Sequence, residues 1–322
     1  MKKVLVTGGL GFVGSHLVDA LLTENADITV VDNLSSNAVG PEEYRGKCTV
    51  ELTDLEDYEP DTRFDEIYHL ADIAGPAGVL KYPGSLGTRA MLGAERVLMI
   101  AEQAQARLLV VSSSEVYGRP GEFSETDSLC VYAPYTVRLE YAVAKILVEV
   151  AAMNRFRASG LRVNIVRPYN IAGPRQRSLG GFVIPRFFEA ALSCSRMEVF
   201  GSGEQVRCFG HVADTVASLL TVQRCGQRGQ IFNSGNRQNR ITINELAHRV
   251  RALCKSSSEM VHVDPRTVYG GLYAEAFDKV PDTTKLEAMT GWHPRRSMDE
   301  ILRDVYRHFT QRLPAALSQP IT

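Results

Sequence analysis

Tyr141 and Lys145 stand four residues apart in Tyr141-Ala142-Val143-Ala144-Lys145, a spacing that puts both on one face of a helix. A free tyrosine has a pKa of about 10 and is a poor base at neutral pH. An ammonium one turn away, together with an oxidised nicotinamide, would favour the phenolate and lower that value. The phenolate could then take a proton from a substrate hydroxyl while the carbinol hydrogen leaves with its electron pair for the nicotinamide. Ser112-Ser113-Ser114-Glu115-Val116-Tyr117-Gly118 offers a serine hydroxyl for the same oxygen, and a carboxylate, Glu115, beside it. Taken singly, Tyr-x-x-x-Lys often marks a solvated helix face and serine runs often mark turns. Found together and in this order, they point to oxidation of an alcohol carbon.

Such chemistry needs a dinucleotide, and the start of the chain has a place for one. An apolar run, Val4-Leu5-Val6, ends in Gly8, Gly11 and Gly14, and a helical pattern follows with Val13, Leu17, Ala20 and Leu21 on one face. The first glycine can take a positive φ, the second lets a phosphate approach the backbone, and the third lets helix and strand pack closely. The helix start then presents free N–H groups and a positive dipole end to a pyrophosphate. Eighteen residues beyond Gly14, the strand Ile28-Thr29-Val30-Val31 ends at Asp32, placed to take both hydroxyls of an adenosine ribose. No arginine follows Asp32 directly, so NAD is expected rather than NADP. Asp54 follows a third strand and could accept from an adenine amino group.

These residues must be positioned by a regular scaffold. Glu66 to Ala71 reads as a strand, residues 86–104 as a helix, Leu108 to Ser112 as a strand covered on both faces, and residues 134–158 as a long helix. Val163 to Arg167 closes the series. Strands alternating with helices imply parallel β-α-β units with right-handed crossovers, an α/β fold with a doubly wound parallel sheet of the Rossmann type, and ligands at the carboxyl ends of its strands. After Pro168, glycine- and proline-bearing loops and shorter elements replace the alternation. The expected division is a dinucleotide-binding domain over residues 1–170 and a smaller C-terminal α/β lobe over 171–322, with the stretch near 211–234 returning to the first. The tail after Leu313 is expected to fray.

The whole-chain numbers narrow the setting. With 322 residues, 44% hydrophobic and 23% charged, the chain can bury a sizeable core. A net charge of −1 gives no electrostatic reason to expect nucleic acid or an anionic membrane. No apolar run approaches the ~20 residues that span a bilayer, and Met1-Lys2-Lys3-Val4 leads straight into a strand without the apolar region of a signal peptide. Six cysteines and seven histidines are scattered without metal-site or disulfide spacing, so a reduced, cytoplasmic setting and no metal are expected. His69 and His211 sit in apolar surroundings and read as packed core groups.

Thr7-Gly8-Gly9-Leu10-Gly11-Phe12-Val13-Gly14, Asp32-Asn33-Leu34, His69-Leu70-Ala71, Ser113…Tyr117-Gly118 and Tyr141…Lys145 resemble the extended short-chain dehydrogenase/reductases, and more narrowly their nucleotide-sugar epimerases, dehydratases and decarboxylases. The resemblance continues through Arg167-Pro168-Tyr169-Asn170, Gly181-Phe182-Val183-Ile184-Pro185, Val199-Phe200-Gly201-Ser202-Gly203 with Arg207, and Val280-Pro281-Asp282-Thr283-Thr284-Lys285. It implies an NAD site at Gly8, Gly11, Phe12, Val13, Asp32, Asn33, Asp54, Leu55, Leu70 and Ala71, with Tyr141 and with Lys145 on the nicotinamide ribose. It further implies that Ser113 and Tyr141 meet the sugar O4 with Ser114 nearby, that Asn170 and Arg207 hold the diphosphate of a nucleotide sugar, most simply a UDP-sugar, and that Val183 and Phe200 flank its base. A homodimer paired through the 86–104 and 134–158 helices is also implied. Three positions depart from the family's usual pattern. Lys279 stands where an arginine usually completes the diphosphate clamp or meets a sugar acid, keeping the charge but losing the bidentate fork. Asp72 stands where a second alanine often follows His-Leu-Ala, and Ala90 where an asparagine is common.

The reaction turns on Glu115. In the dehydratases and decarboxylases this segment resembles, a glutamate works near C5 or C6 of the sugar, whereas a simple 4-epimerase needs no such acid; a turn-capping carboxylate is the plainer alternative. Dehydratases usually offer Thr-Asp-Glu and decarboxylases Thr-Ser-Glu, and this chain has Ser113-Ser114-Glu115. The sequence therefore leads to an NAD-dependent nucleotide-sugar 4-epimerase working through a transient 4-keto sugar, with a decarboxylase or dehydratase sharing the first oxidation next. A non-catalytic dinucleotide sensor is less consistent, since it would have had no need to keep Tyr141 and Lys145.

Overall fold

A computed structural model describes residues 1–312, so the tail after Leu313 lies outside the described residues. β1 (Lys3–Thr7) turns into α1 (Phe12–Leu22), followed by β2 (Asp27–Asp32), β3 (Thr49–Leu52) and β4 (Glu66–His69). The short α2 (Pro76–Val79) and long α3 (Leu86–Ala104) lead to β5 (Arg107–Val111), β6 (Gly121–Phe123), α4 (Val137–Ser159), β7 (Val163–Pro168) and β8 (Asn170–Ala172). Next come α5 (Val183–Leu192), β9 (Met197–Phe200), β10 (Val206–His211), α6 (Val212–Arg224) and β11 (Gln230–Ser234). β12 (Arg240–Thr242), α7 (Ile243–Leu253), β13 (Met260–Val263), α8 (Pro265–Tyr269), β14 (Lys279–Pro281), α9 (Thr284–Thr290) and α10 (Met298–Arg312) complete the chain.

Seven strands form one parallel sheet in the order β11-β7-β5-β4-β1-β2-β3. Its apolar residues alternate between two cores. Val4 and Val6 point to the side where Leu17 and Leu21 of α1 meet Leu219 and Val222 of α6. Leu5, Ile67 and Leu108 point to the side where Val97 and Ala101 of α3 meet Val148 and Ala152 of α4. Burial on both faces is why these strands read as continuous apolar runs rather than alternating ones. The expected α/β, doubly wound parallel sheet is thus the observed architecture. β11 and α6 belong to this sheet and its helix layer although they follow the loops after Pro168. A third core, built on Phe187, Phe188, Leu246, Val250 and Ile301, gathers α5, α7 and α10 beside the small β13-β9 and β12-β10-β8 sheets.

Residues 86–104 form the expected helix, but the next helix starts at Val137 rather than at Pro134. Thr136 is its cap: the hydroxyl accepts the Leu139 N–H at 3.1 Å and satisfies a first-turn donor. Two three-residue strands, β6 and β14, pair in parallel with Lys279 opposite Gly121, and no periodicity in the sequence marks either. That pairing brings the far end of the chain against the turn that follows β5.

Candidate active site

The carboxyl ends of β1, β2, β4 and β5 open into one cleft of about 670 Å³ that also reaches residues of the second lobe. Its floor is the glycine turn. Gly8 has φ +71°, and a Cβ there would lie 2.8 Å from the Ala71 nitrogen; a Cβ at Gly14 would lie 2.0 Å from the Gly8 carbonyl oxygen. Only glycine fits at either position. Gly11 caps α1 without a side-chain acceptor, so the first-turn N–H groups are open to an anion. Asp32 accepts the N–H of Leu10 at 3.0 Å and of Leu34 at 2.8 Å, which fixes both carboxylate oxygens at the cleft edge with lone pairs to spare. Burial raises its pKa, and these two N–H donors oppose the rise. Asn33 donates to one Asp54 oxygen at 2.7 Å, which ties the residue after β2 to the turn after β3. Phe12, Val13, Leu55, Leu70 and Ala71 line the same half of the cleft.

Deeper in, Ser113 caps the helical turn at Ser114–Tyr117 by accepting the Glu115 N–H at 3.2 Å, and its side chain also bonds the Tyr141 phenol. Of the three serines, Ser113 is therefore the one at Tyr141. Ser112 instead donates to Glu149 at 2.5 Å, and Glu149 is gripped by Arg167 at 2.9 and 2.6 Å, a buried scaffold behind the site. Ser114 borders the cleft. Lys145 donates to the Val111 carbonyl at 2.8 Å and contacts Asp72 at 2.7 Å.

The chain's own charges do not lower the Tyr141 pKa as the Tyr–Lys spacing suggests. Burial raises it, and although Lys145 and the Ser113 bond pull it down, Asp72 and Glu115 push it up, so the net direction is upward. The lysine is present, but its charge is already shared with Asp72.

Glu115 is the most constrained acid in the cleft. One oxygen accepts from Lys279 at 2.7 Å and the other faces Arg138 at 3.3 Å. Burial alone would raise its pKa, but the two cations outweigh burial and hold it at about 2, so Glu115 is ionised at any working pH. Lys279, expected at a diphosphate or a sugar acid, is buried behind Glu115 and is not among the residues lining the cleft. Arg138, which sequence reasoning missed, does line it. Its signal was present: Arg138 lies three residues before Tyr141, on the same helical face.

The second lobe supplies the other wall. Asn170, Val183, Phe200 and Arg207 all line the cleft. Arg186 lies over the Phe200 ring at 3.9 Å, with Tyr269 edge-on at 5.6 Å. Arg207 pairs with Glu275 at 2.5 Å and Asp278 at 3.0 Å. His69 is buried, bonded to Thr7 at 2.9 Å and pushed down to about 4 by burial, a neutral packing group. Among the described residues no cluster of His, Cys, Asp or Glu could hold a metal, and no helix is long and apolar enough to cross a membrane.

A glycine turn that admits a pyrophosphate, an acid at the end of β2, and a Ser–Tyr–Lys group in one cleft agree with a family match over residues 4–235. The chain belongs to the NAD-dependent epimerase/dehydratase family. NAD is accordingly its cofactor, and the glycine turn, Asp32 and Lys145 line the cleft that would hold it. Within the family the chain is 33% identical over 318 residues to a UDP-N-acetyl-α-D-glucosaminuronate decarboxylase of Bacillus cytotoxicus, covering 96% of this chain and 98% of that one. It is 31% identical to UDP-glucuronic acid decarboxylase 1 of Xenopus tropicalis, covering 97% of this chain and 73% of the relative. Its fold superposes on the UDP-glucose 4-epimerase of Thermotoga maritima with a TM-score of 0.85 and 28% identity, covering 97% and 100% of the two chains. Epimerisation, dehydration and decarboxylation, the three reactions that the sequence left in contention, all appear in the family's name or among these similar proteins.

Proposed function

We propose that this chain is a UDP-hexuronate decarboxylase. The observation that carries the reading is the buried triad of Glu115, Arg138 and Lys279, with side chains only 16%, 15% and 3% exposed. One carboxylate between two cations sets Arg138 at the cleft beside Tyr141, with Glu275 also acting on it. A sugar carboxylate can take charge-assisted hydrogen bonds from the Arg138 guanidinium, and the CH₂OH group of a neutral hexose gains less from it. Similarity to decarboxylases of UDP-hexuronates along nearly the whole chain supports the same choice.

In this reading Tyr141 takes the proton of the sugar O4, and Ser113 donates a hydrogen bond to that oxygen. NAD, when bound, accepts the C4 hydrogen with its electron pair and later returns it. The C4 ketone makes the C6 carboxylate that of a β-keto acid, so the electrons of the C5–C6 bond have a carbonyl to enter. Tyr141 and Ser113 hold the oxygen on which that charge gathers, which is where stabilisation is most effective. Glu115, ionised and next to a second carboxylate, favours loss of neutral CO₂ and helps Arg138 orient the C5 substituent. C5 takes a proton from solvent, and the carbonyl is reduced back to an alcohol. A UDP-pentose and CO₂ leave with no net change in NAD.

The 4-epimerase remains the second reading, favoured by the fit to the Thermotoga maritima epimerase and by Lys279, which lacks the fork of an arginine. Incubation with UDP-glucuronic acid, UDP-N-acetylglucosaminuronic acid and UDP-glucose, followed by NMR, separates the two. Loss of C6 from a uronate supports decarboxylation. Inversion at C4 with C6 retained would replace that reading by the epimerase.

A further inference from the structure

The charge that matters most to Tyr141 has a partner the chemistry does not require. Lys145 is buried, and its ammonium sits 2.7 Å from Asp72 and 2.8 Å from the Val111 carbonyl. Asp72 is itself braced, accepting the Ile73 N–H at 2.7 Å. It follows β4 and lines the same cleft as Tyr141 and Lys145. We propose that Asp72 makes ionisation of Tyr141 conditional on the pyridinium charge of oxidised NAD, by cancelling the ammonium that would otherwise support the phenolate. The proposal rests on Tyr141 being the base, which the decarboxylase and epimerase readings share.

Phenolate, ammonium and Asp72 sum to one negative charge in a buried site, an unfavourable state. Adding a pyridinium brings the sum to zero. With the carboxylate removed, phenolate and ammonium are neutral by themselves, and the tyrosine can ionise with either redox form of the cofactor.

Other groups face this assembly, and each is engaged elsewhere. From β4, His69 is neutral at working pH and bonded to Thr7. From α4, Glu149 is closed off by Arg167 and Ser112. From the turn after β5, Glu115 is held by Lys279 and Arg138, while Ser113 bonds the Tyr141 phenol. Asp72 is thus the anion in contact with Lys145. A device of this kind keeps the base from taking a proton when the cofactor is reduced and no oxidation can follow.

The test titrates Tyr141 directly. Phenolate ultraviolet absorption is followed against pH as the difference between the chain and its Tyr141→Phe variant, saturated with NAD⁺ or NADH, in the parent and in Asp72→Asn. A neighbouring charge moves a pKa by roughly one unit or more. In the parent the Tyr141 titration should lie lower with NAD⁺ than with NADH, and equal values would overturn the proposal. Asp72→Asn should bring it down by about that much in both forms, so that the NADH form now ionises as readily as the parent does with NAD⁺. The acid limb of kcat/KM should move with it. Asp72→Glu should restore the parent profile. An unmoved titration, even alongside reduced turnover, would show that Asp72 only positions Lys145 and would overturn the proposal. Should Asp72→Asn not fold, Asp72→Ala is read the same way. If no titration belongs to Tyr141 in any variant, Tyr141 is not the base, and this proposal falls with that assignment while the substrate assay still decides the reaction.

Discussion

Replacing Glu115 by glutamine tests the structure and the chemistry at once. The glutamate's pKa falls from an ordinary 4.5 to about 2 because Lys279 and Arg138 outweigh the burial that would raise it. A carboxylate depressed on folding contributes stability above its unfolded pKa and loses it as pH falls through the folded one. That contribution is therefore complete at pH 7 and fades between about 4.5 and 2. The size of the drop corresponds to ~3 kcal/mol. Breaking a buried ion pair from one side costs about 3–5 kcal/mol by a separate argument, since the partner charges remain. The two figures agree. At ~2–4 °C per kcal/mol for a large domain, Glu115→Gln should unfold roughly 5–15 °C below the parent at pH 7 by differential scanning calorimetry. The gap should narrow as the pH is lowered toward 4, where the parent begins to lose the same interaction. A variant as stable as the parent at pH 7 would show that the triad is not ionised as described. In activity, a decarboxylase should lose turnover with Glu115→Gln about as fully as with loss of the tyrosine, whereas a 4-epimerase should be only mildly affected.

Tyr141→Phe removes one hydroxyl from a packed helix, so NAD binding by calorimetry should hold while turnover falls ~10²–10⁴-fold; retention of most activity would remove Tyr141 as the base. Asp32, with both oxygens fixed by backbone N–H groups, should repel a 2′-phosphate, and NADP binding as tightly as NAD in the same calorimeter would contradict this. The exposed Leu92 and Met99 of α3 and Val143, Leu147 and Val150 of α4 suit a homodimer joined through those helices, and we expect sedimentation at micromolar concentration to give a dimer mass.

What the sequence made legible is what depends on short spacings. Gly8, Gly11 and Gly14 run from the end of β1 into the first turn of α1, and Tyr141 and Lys145 sit one helical turn apart; both can be read because a tight turn and a helix impose their own geometry. Asp32 could be placed because it ends a strand. The triad could not. Glu115 and Lys279 are 164 residues apart and meet only through β6 and β14, three residues each, too short to carry a period. The resemblance puts Lys279 where an arginine usually meets a diphosphate or a sugar acid, and position along the chain does not say which anion a cation will find. The same holds for Asp72, visible as a departure but not as the partner of Lys145. Arg138 was within reach, since its helical position relative to Tyr141 follows from the same rule that paired Tyr141 with Lys145.

The place of β11 bears on how the molecule is made. β7 is interior to the large sheet only because β11, more than sixty residues later, pairs with it from Asn164–Gln230 to Pro168–Ser234. Until Ser234 has emerged during synthesis, β7 is an edge with its outer N–H and C=O groups bare, open to pairing with any other strand. A fragment ending near residue 170 would keep every residue of the glycine turn and still lack α6, the helix that covers α1. The nucleotide half is therefore not a detachable cassette. Its last strand arrives late and from a distance, the kind of non-local closure that slows folding, and the segment carrying it first supplies Phe200 and Arg207 to the other wall of the cleft. Completing the sheet and assembling the two walls are consecutive stages of one passage of chain.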